Sequence, residues 1–204
     1  LGGAAVFFGK EPSIIEVLND TNRELMNFYE VIQNDFISLE REIRITLHSR
    51  SMFNDAKVIY HSPHLFSRIK RAWSIWVMAT QGFASQLDSS FGYDRTRNQT
   101  TKKITNKRES FTEDYAIRLQ NVQLESTDAI RVIRSRDSVN SFFYLDPPYV
   151  GSDCGHYDGY SQEDFDMLLE QLSKIEGKFL LSSYPNASVE KYLKQHVWYQ
   201  KRFE

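Results

Sequence analysis

Short apolar runs alternate with stretches of helical periodicity in two parts of the chain, 1–35 and 119–204. β-branched or aromatic runs predict strands over 13–18, 119–124, 142–145 and 178–182. Apolar residues at helical spacing follow them and predict helices that begin near residues 4, 21, 127 and 161. Strand and helix in alternation are typical of an α/β fold with a Rossmann-like, mostly parallel, doubly wound sheet. The strand over 142–145 is expected to be buried.

Residues 36–118 break this rhythm. Their pattern predicts helices and loops without a clear strand. Trp73, Trp76 and Phe83 have the spacing of residues on the buried side of a helix. The sequence therefore predicts two domains. One, formed by 1–35 and 119–204, contains the sheet, and the other, 36–118, is a mainly helical insertion.

Composition narrows the class of protein. With 204 residues, 41% of them hydrophobic, the chain is long enough to bury a sizeable core. Its one cysteine, Cys154, has no second cysteine with which to form an intramolecular disulfide, which favours a reducing, intracellular setting. Cys and His residues do not occur at the spacing of a zinc site, so the sequence predicts no metal site of this kind. No signal peptide or membrane-length apolar run is visible. Because the chain begins Leu1-Gly2-Gly3, we expect it to be a fragment.

A basic segment interrupts an otherwise balanced charge distribution. The formal net charge is −2, yet the stretch 95–108 has six basic residues and no acidic one. Weak hydrophobic periodicity predicts an exposed, mobile loop here. Such a segment is either solvated surface or a contact for phosphates. Its basic residues are Arg95, Arg97, Lys102, Lys103, Lys107 and Arg108.

The sequence Asp146-Pro147-Pro148-Tyr149 follows the apolar run 142–145 directly. Proline fixes φ and lacks an N–H donor, so this strand ends in a stiff segment rich in acceptors. The Asp146 carboxylate and the Pro147 carbonyl can each accept a hydrogen bond from an amine, and the Tyr149 ring can stack on a planar ligand. An exocyclic amine on a nucleobase has that shape. The alternative is a simple strand-terminating turn.

Ligands of doubly wound sheets bind outside the carboxyl ends of the strands. The expected strand ends carry Gly2 and Gly3, Asp20, Asp128 and Asp146. Glycines allow a ligand to approach the backbone, and an acidic residue after the second strand suits the two hydroxyls of a ribose. Asp20 has a second interpretation as a helix N-cap, and the glycine pair has one as an ordinary turn.

These motifs together resemble the Dam-type, D12 class of DNA adenine N6-methyltransferases. The segment 1–8 is similar to the family's S-adenosylmethionine loop, with Ala4 where the family has its second glycine. Asn19-Asp20-Thr21-Asn22 resembles its acidic ribose-binding turn, Asp146-Pro147-Pro148-Tyr149 its catalytic motif, and 177–182 a later strand. The order of cofactor loop, insertion and catalytic motif matches as well. The resemblance further leads us to expect that this sequence lacks the family's first and last segments.

The resemblance implies a mechanism and a set of residues. The target adenine is flipped out of the duplex and stacks on Tyr149, while Asp146 and Pro147 accept hydrogen bonds from its amine. Transfer of the methyl group is direct and uses no metal. Cofactor contacts are implied for Gly2, Gly3, Ala4, Asp20, Asp128 and Asp146, with Glu125 as an alternative to Asp128.

Recognition of double-stranded DNA is implied for the insertion. The six basic residues of 95–108 are expected to meet phosphates, and their arginines can also read guanine edges. Phe91 and Tyr93, just before that segment, are either an aromatic wedge or packing residues.

Three other functions stay open at this point. An RNA adenine or a cytosine N4 amine fits the same pair of acceptors, although Asp146 favours adenine. A second possibility is a DNA-binding remnant without catalysis. A nicotinamide-dependent oxidoreductase is the third, but it leaves Asp146-Pro147-Pro148-Tyr149 without a role.

The resemblance also sets expectations for the setting. It implies the cytoplasm of a bacterial or phage-infected cell, a monomer, and no membrane. A restriction endonuclease can accompany proteins of this kind.

Overall fold

The computed structural model describes residues 1–85, 87, 89–150 and 160–203. The chain divides into two compact units, an N-terminal unit of Gly2–Ser126 and a C-terminal unit of Thr127–Glu204 that also takes in Leu1. Cys154 lies outside the described residues.

The N-terminal unit is mostly helical, and its described residues include one parallel pair of strands. Its strands are β1 (Val17–Asn19) and β2 (Gln123–Glu125), and two short 3₁₀ turns cover Pro63–Leu65 and Phe83–Ser85. Its helices are α1 (Ala5–Gly9), α2 (Arg23–Arg44), α3 (Arg50–His61), α4 (Arg68–Gln81), α5 (Gln99–Glu109) and α6 (Asp114–Leu119).

The C-terminal unit alternates strand and helix. Its elements are α7 (Ala129–Arg136), β3 (Phe142–Leu145), α8 (Gln162–Leu172), β4 (Lys178–Leu181) and α9 (Ala187–Gln195). The strands β3 and β4 are parallel, with Phe142 opposite Lys178 and Leu145 opposite Leu181. The described part of the chain is therefore a mixed α/β structure with two small parallel sheets, and the larger doubly wound sheet remains a prediction.

Most of the expected elements are present. The helix predicted from residue 21 is α2, which Asn22 caps by accepting from the Glu24 and Leu25 amides. It runs on to Arg44 with a break in helical geometry at Asp35. The helix predicted near 161 is α8, and Ser161 and Asp164 cap it reciprocally. Asp128 caps α7.

Two strand predictions are wrong in their bounds. Ile14 and Ile15 are exposed in a bend, and β1 begins only at Val17. Likewise α6 runs to Leu119, so that β2 starts at Gln123 instead of at 119. In both cases β-branched or alternating residues favoured a strand, but tertiary contacts determine where pairing begins.

Helix packing forms the core of the N-terminal unit. α4 packs against α2 and α3, and Trp73 and Trp76 are buried as predicted. The Trp73 indole donates to Thr46 Oγ1 at 2.7 Å in the interior, so its buried N–H is satisfied. Phe83 was expected in this core, but it is 67% exposed. α4 ends at Gln81, which leaves Phe83 beyond the helix.

Arg118 joins three segments of the N-terminal unit. Its guanidinium makes two hydrogen bonds to the Glu16 carboxylate, at 2.6 and 2.8 Å, and donates to the Phe7 carbonyl at 3.1 Å. It also lies 3.7 Å from the centroid of the Phe7 ring. Glu16 precedes β1, Phe7 lies in α1 and Arg118 lies in α6. One charged pair therefore attaches the start of the chain to the entry of the first strand.

The C-terminal unit buries one face of its small sheet. Ile133, Leu168 and Leu172 form the centre, and Phe143 and Phe179 pack against it together with Leu145, Leu181, Ile175 and Trp198. The prediction that the strand over 142–145 is buried holds for only one side. Phe142 and Tyr144 point to the other face, where they are 64% and 43% exposed.

No helix in the described ranges is long and apolar enough to cross a membrane.

The Arg118–Glu16 pair predicts a stability that depends on acid pH. Hydrogen bonding to Arg118 lowers the pKa of Glu16 to about 2 from 4.5. A carboxyl with a depressed folded-state pKa stabilises the protein above its unfolded pKa, and this contribution is lost as the pH falls toward the folded value. We expect Glu16 to contribute roughly 3 kcal/mol that disappears between about pH 5 and pH 2. Urea unfolding at stepped pH measures it.

Glu16→Gln should flatten that pH dependence and lower the stability at pH 7. Glu170→Gln is the matched control, because Glu170 pairs with Lys174 on an exposed face of α8, where ion pairs contribute little. Equal pH profiles for Glu16→Gln and the wild type would contradict the assignment.

Candidate adenine and cofactor sites

The end of β3 presents Asp146 at the edge of the sheet. β3 and β4 are parallel and end at the paired residues Leu145 and Leu181. The ladder extends one step further, because the Ser182 amide donates to the Leu145 carbonyl at 2.9 Å. Asp146 and Ser182 therefore leave the sheet at the same edge, where ligands of parallel sheets bind. Asp146 is exposed there.

Tyr149 connects the two segments that leave this edge. Its hydroxyl donates to Asp146 Oδ1 at 3.3 Å and lies 2.8 Å from Ser182 Oγ. Its ring contacts the Tyr184 ring, with centroids 4.5 Å apart and planes tilted by 55°. A shallow cleft opens beside the two rings, and its walls are Pro148, Tyr149, Val150, Phe165, Ser183, Tyr184, Pro185 and Asn186.

The Asp146 carboxylate affects the pKa of Tyr144. Burial, followed by the Asp146 carboxylate and Tyr149, raises the pKa of Tyr144. The site thus combines an exposed acceptor with aromatic surface, and none of the described residues that line the cleft is a cation. That combination suits a neutral, planar ligand with an amine better than an anionic one.

Asp128 caps a helix in the same unit. Its Oδ1 accepts from the Arg131 amide at 3.0 Å. Nearby, burial, with smaller contributions from Asp164 and Asp128, raises the pKa of Tyr160 to about 12. The Tyr160 hydroxyl is buried and has no hydrogen-bond partner among the described residues. This hydroxyl lies close enough to Asp128 for the charge of the carboxylate to affect its pKa.

The glycine turn belongs to the N-terminal unit. Gly2 has φ +53° and Ala4 φ +50°, both in the left-handed region. Tyr29 of α2 donates to the Gly2 carbonyl at 2.6 Å, and burial together with the Asp20 carboxylate raises the pKa of Tyr29. The glycine turn and Asp20 therefore both lie close to the Tyr29 hydroxyl.

Asp20 lies at the end of β1 and is only 7% exposed. Its Oδ1 accepts from the Asn22 amide at 2.9 Å, and its own amide donates to the Glu125 carbonyl at 3.4 Å. The interpretation of Asp20 as the helix N-cap is wrong, since Asn22 caps α2. Glu125, the alternative acidic residue, ends β2 directly beside it.

The basic segment is only partly a loop. The prediction of a loop over all of 95–108 is wrong from Gln99 onward, where α5 begins. Tertiary contacts compensate for its weak periodicity. The Asp94 carboxylate accepts from the Thr100 amide in the first turn, His48 Nδ1 lies 2.8 Å from Thr101 Oγ1, and Ile104 is buried.

The basic side chains differ in how far solvent can reach them. Arg108 donates to the Thr46 carbonyl at 3.0 Å, and both it and Lys107 are half-buried. Burial, then the nearby Lys103 charge, lowers the pKa of Lys107. The exposed members are Arg95, Arg97, Lys102 and Lys103.

The aromatic residues Phe91 and Tyr93, which precede this segment, both lie close to the Arg50 guanidinium. The Arg50 guanidinium lies 4.8 Å from the Phe91 ring and 5.4 Å from the Tyr93 ring. Phe91 packs against Phe53 and His48, whereas Tyr93 is 55% exposed. Phe91 is therefore a packing residue, and Tyr93 with Arg50 extends the exposed basic surface.

Sequence reasoning did not identify Ser182 and Tyr184. A signal was present, because Ser-Ser-Tyr-Pro follows the apolar run 178–181 as Asp-Pro-Pro-Tyr follows 142–145, and parallel strands end at one edge. Arg50 had no such signal, since it lies far from the basic segment in sequence. No group of three or more potential metal ligands occurs in the described ranges.

Comparison with known proteins agrees with these motifs. None of the curated proteins matches the chain. The family model of the D12 class N6 adenine-specific DNA methyltransferases matches residues 1–202, which covers both units and every candidate site residue. The chain therefore belongs to the D12 class of N6 adenine-specific DNA methyltransferases.

Proposed function

We propose that the chain is a site-specific DNA methyltransferase that moves a methyl group from S-adenosylmethionine to the exocyclic amine of a flipped adenine. The observation that carries this proposal is Asp146, an exposed acceptor at the end of β3 that is hydrogen-bonded to the Tyr149 hydroxyl. Family membership supplies the reaction class.

The residues after β3 act on the adenine. A stacked base cannot present its amine to a pocket, so it is flipped and stacks on Tyr149. The amine is a weak nucleophile because its lone pair is delocalised into the ring. Hydrogen bonds from its two N–H groups to Asp146 and to the Pro147 carbonyl favour a tetrahedral nitrogen with a directed lone pair. Asp146 then accepts the proton that the nitrogen loses. Positioning and electrostatics supply most of the catalysis.

The N-terminal unit contains residues that fit S-adenosylmethionine. A methyl group added at Gly2 or Gly3 would meet no heavy atom within 4 Å, so a ligand can approach the backbone there. Ala4 completes that turn. The buried Asp20 carboxylate at the end of β1 suits the two hydroxyls of a ribose, because each carboxylate oxygen can accept one hydrogen bond. When bound, the cofactor supplies an electrophilic methyl group.

Further cofactor contacts are assigned to acidic residues. We assign the adenine amine of the cofactor to Asp128, with Glu125 as the alternative because it ends β2 beside Asp20. Asp146 is also assigned to the cofactor pocket.

We assign DNA recognition to the helical insertion, 36–118, within a catalytic domain formed by 1–35 and 119–204. Arg95, Arg97, Lys102 and Lys103 are exposed and can neutralise phosphates. Lys107 and Arg108 are half-buried, so we assign them weaker phosphate contacts.

Replacing Asp146 tests the reaction itself. Asp146→Asn keeps the shape but removes the negative charge and adds a donor that faces the amine. We expect the rate of methyl transfer to unmethylated DNA to fall at least about a hundredfold, with N6-methyladenine from the wild type identified by mass spectrometry. Glu163→Gln, on the exposed side of α8, is the control for loss of a carboxylate. A folded wild type that yields no methylated base would refute the proposal.

Gly3→Ala tests the cofactor loop. Its added methyl group meets nothing in the protein, so the melting temperature should stay the same. If the cofactor lies against this backbone, its affinity should fall about tenfold, as overpacking predicts. Titration calorimetry measures the affinity, and Gly9→Ala, which also meets nothing, is the control. Unchanged affinity in Gly3→Ala would place the cofactor elsewhere.

Lys102 and Lys103 test the DNA surface. The double variant Lys102→Gln/Lys103→Gln should weaken binding for all sequences and reduce the slope of log K against log salt by about 2. Fluorescence anisotropy over a salt series gives that slope. Lys191→Gln/Lys194→Gln removes two exposed charges from α9 and should leave it unchanged. Equal slopes for the first variant and the wild type would remove this surface from the DNA interface.

A further inference from the structure

The loop after β4 lies against the residues that follow β3. This loop, residues 182–186, joins β4 to α9, and we call it the β4–α9 loop. The hydrogen bond from the Ser182 amide to the Leu145 carbonyl fixes its first residue beside the start of Asp146-Pro147-Pro148-Tyr149. The catalytic motif Asp146-Pro147-Pro148-Tyr149 does not include this loop.

A chain of hydroxyl groups runs from this loop to the catalytic carboxylate. Tyr149 has one hydroxyl proton, and Asp146 can only accept, so the bond of 3.3 Å between them uses that proton. In the contact of 2.8 Å between Tyr149 and Ser182 we therefore assign Ser182 as the donor. With these donors the chain runs from Ser182 through Tyr149 to Asp146 Oδ1.

The same loop restrains the ring of Tyr149. Tyr184 contacts it at a centroid distance of 4.5 Å with a tilt of 55°, a geometry favourable for aromatic pairs. Tyr184 itself is 56% exposed. Pro185 follows Tyr184 and fixes the backbone conformation there.

We propose that Ser182 and Tyr184 are positioning residues of the adenine site, acting through Tyr149. Ser182 orients the Tyr149 hydroxyl and thereby the Asp146 carboxylate, and Tyr184 holds the Tyr149 ring for stacking on the flipped base. This inference rests on the proposed function and adds a second loop to the site.

A double-mutant cycle tests the role of Ser182. On a duplex carrying the sequence that the wild type methylates, Ser182→Ala should slow single-turnover transfer roughly five- to tenfold, as loss of one hydrogen bond predicts. DNA affinity should change less than twofold, and Ser182→Thr, which keeps the hydroxyl, should recover most of the rate. In a Tyr149→Phe background, Ser182→Ala should slow transfer no further.

Base stacking tests the role of Tyr184 without any methyl transfer. With 2-aminopurine at the target position, a flipped base that stacks poorly fluoresces more strongly. Tyr184→Ala should raise the fluorescence of the protein–DNA complex, and Tyr184→Phe, which keeps the ring, should recover most of the wild-type quenching. Tyr199→Ala is the control, because Tyr199 is 95% exposed in the same unit.

The possible results separate this inference from the proposed function. If the wild type transfers methyl groups but Ser182→Ala acts equally in both backgrounds, Ser182 does not work through Tyr149 and the inference fails for it. Unchanged fluorescence in Tyr184→Ala overturns it for Tyr184. A wild type that transfers nothing to DNA overturns the proposed function and this inference together.

Discussion

Parallel hydrogen bonding between two short strands, β3 and β4, determines where the proposed catalytic residues of the C-terminal unit lie. Because the strands run in one direction and end at the paired residues Leu145 and Leu181, everything that follows them leaves from one edge. Asp146 comes from the first strand, and Ser182 comes from the second. The rigidity of the two prolines after Asp146 then keeps Tyr149 within reach of both side chains.

The N-terminal unit depends on a different kind of interaction, a charged pair in a largely buried place. Arg118 is 15% exposed and Glu16 is 9% exposed, so neither charge is well solvated. Their two-point geometry and the added bond from Arg118 to the Phe7 carbonyl offset that cost. The result holds α1, and with it the glycine turn, against the strand that leads to Asp20.

The sequence was sufficient where a local signal determined the structure. Asp128 caps its helix, and Asp146 follows a strand, as their neighbours in sequence indicate. Distant contacts explain the failures. Ile14 lies in a bend two residues before Glu16, which binds an arginine in α6. The helix Gln99–Glu109 has contacts with remote groups such as His48. The sequence did not indicate Ser182 and Tyr184, because they come close to Asp146 only through the pairing of β3 with β4.

Ala4 occupies a left-handed conformation without being a glycine. For an L-residue with a side chain this conformation costs roughly 1 kcal/mol, and alanine also gives the unfolded chain fewer states than glycine would. Ala4 as a whole residue is 4% exposed, so packing around it maintains the turn. The loop is therefore shaped when the chain folds. A ligand that binds there loses little affinity to ordering the backbone, because preorganisation has already met that entropic cost.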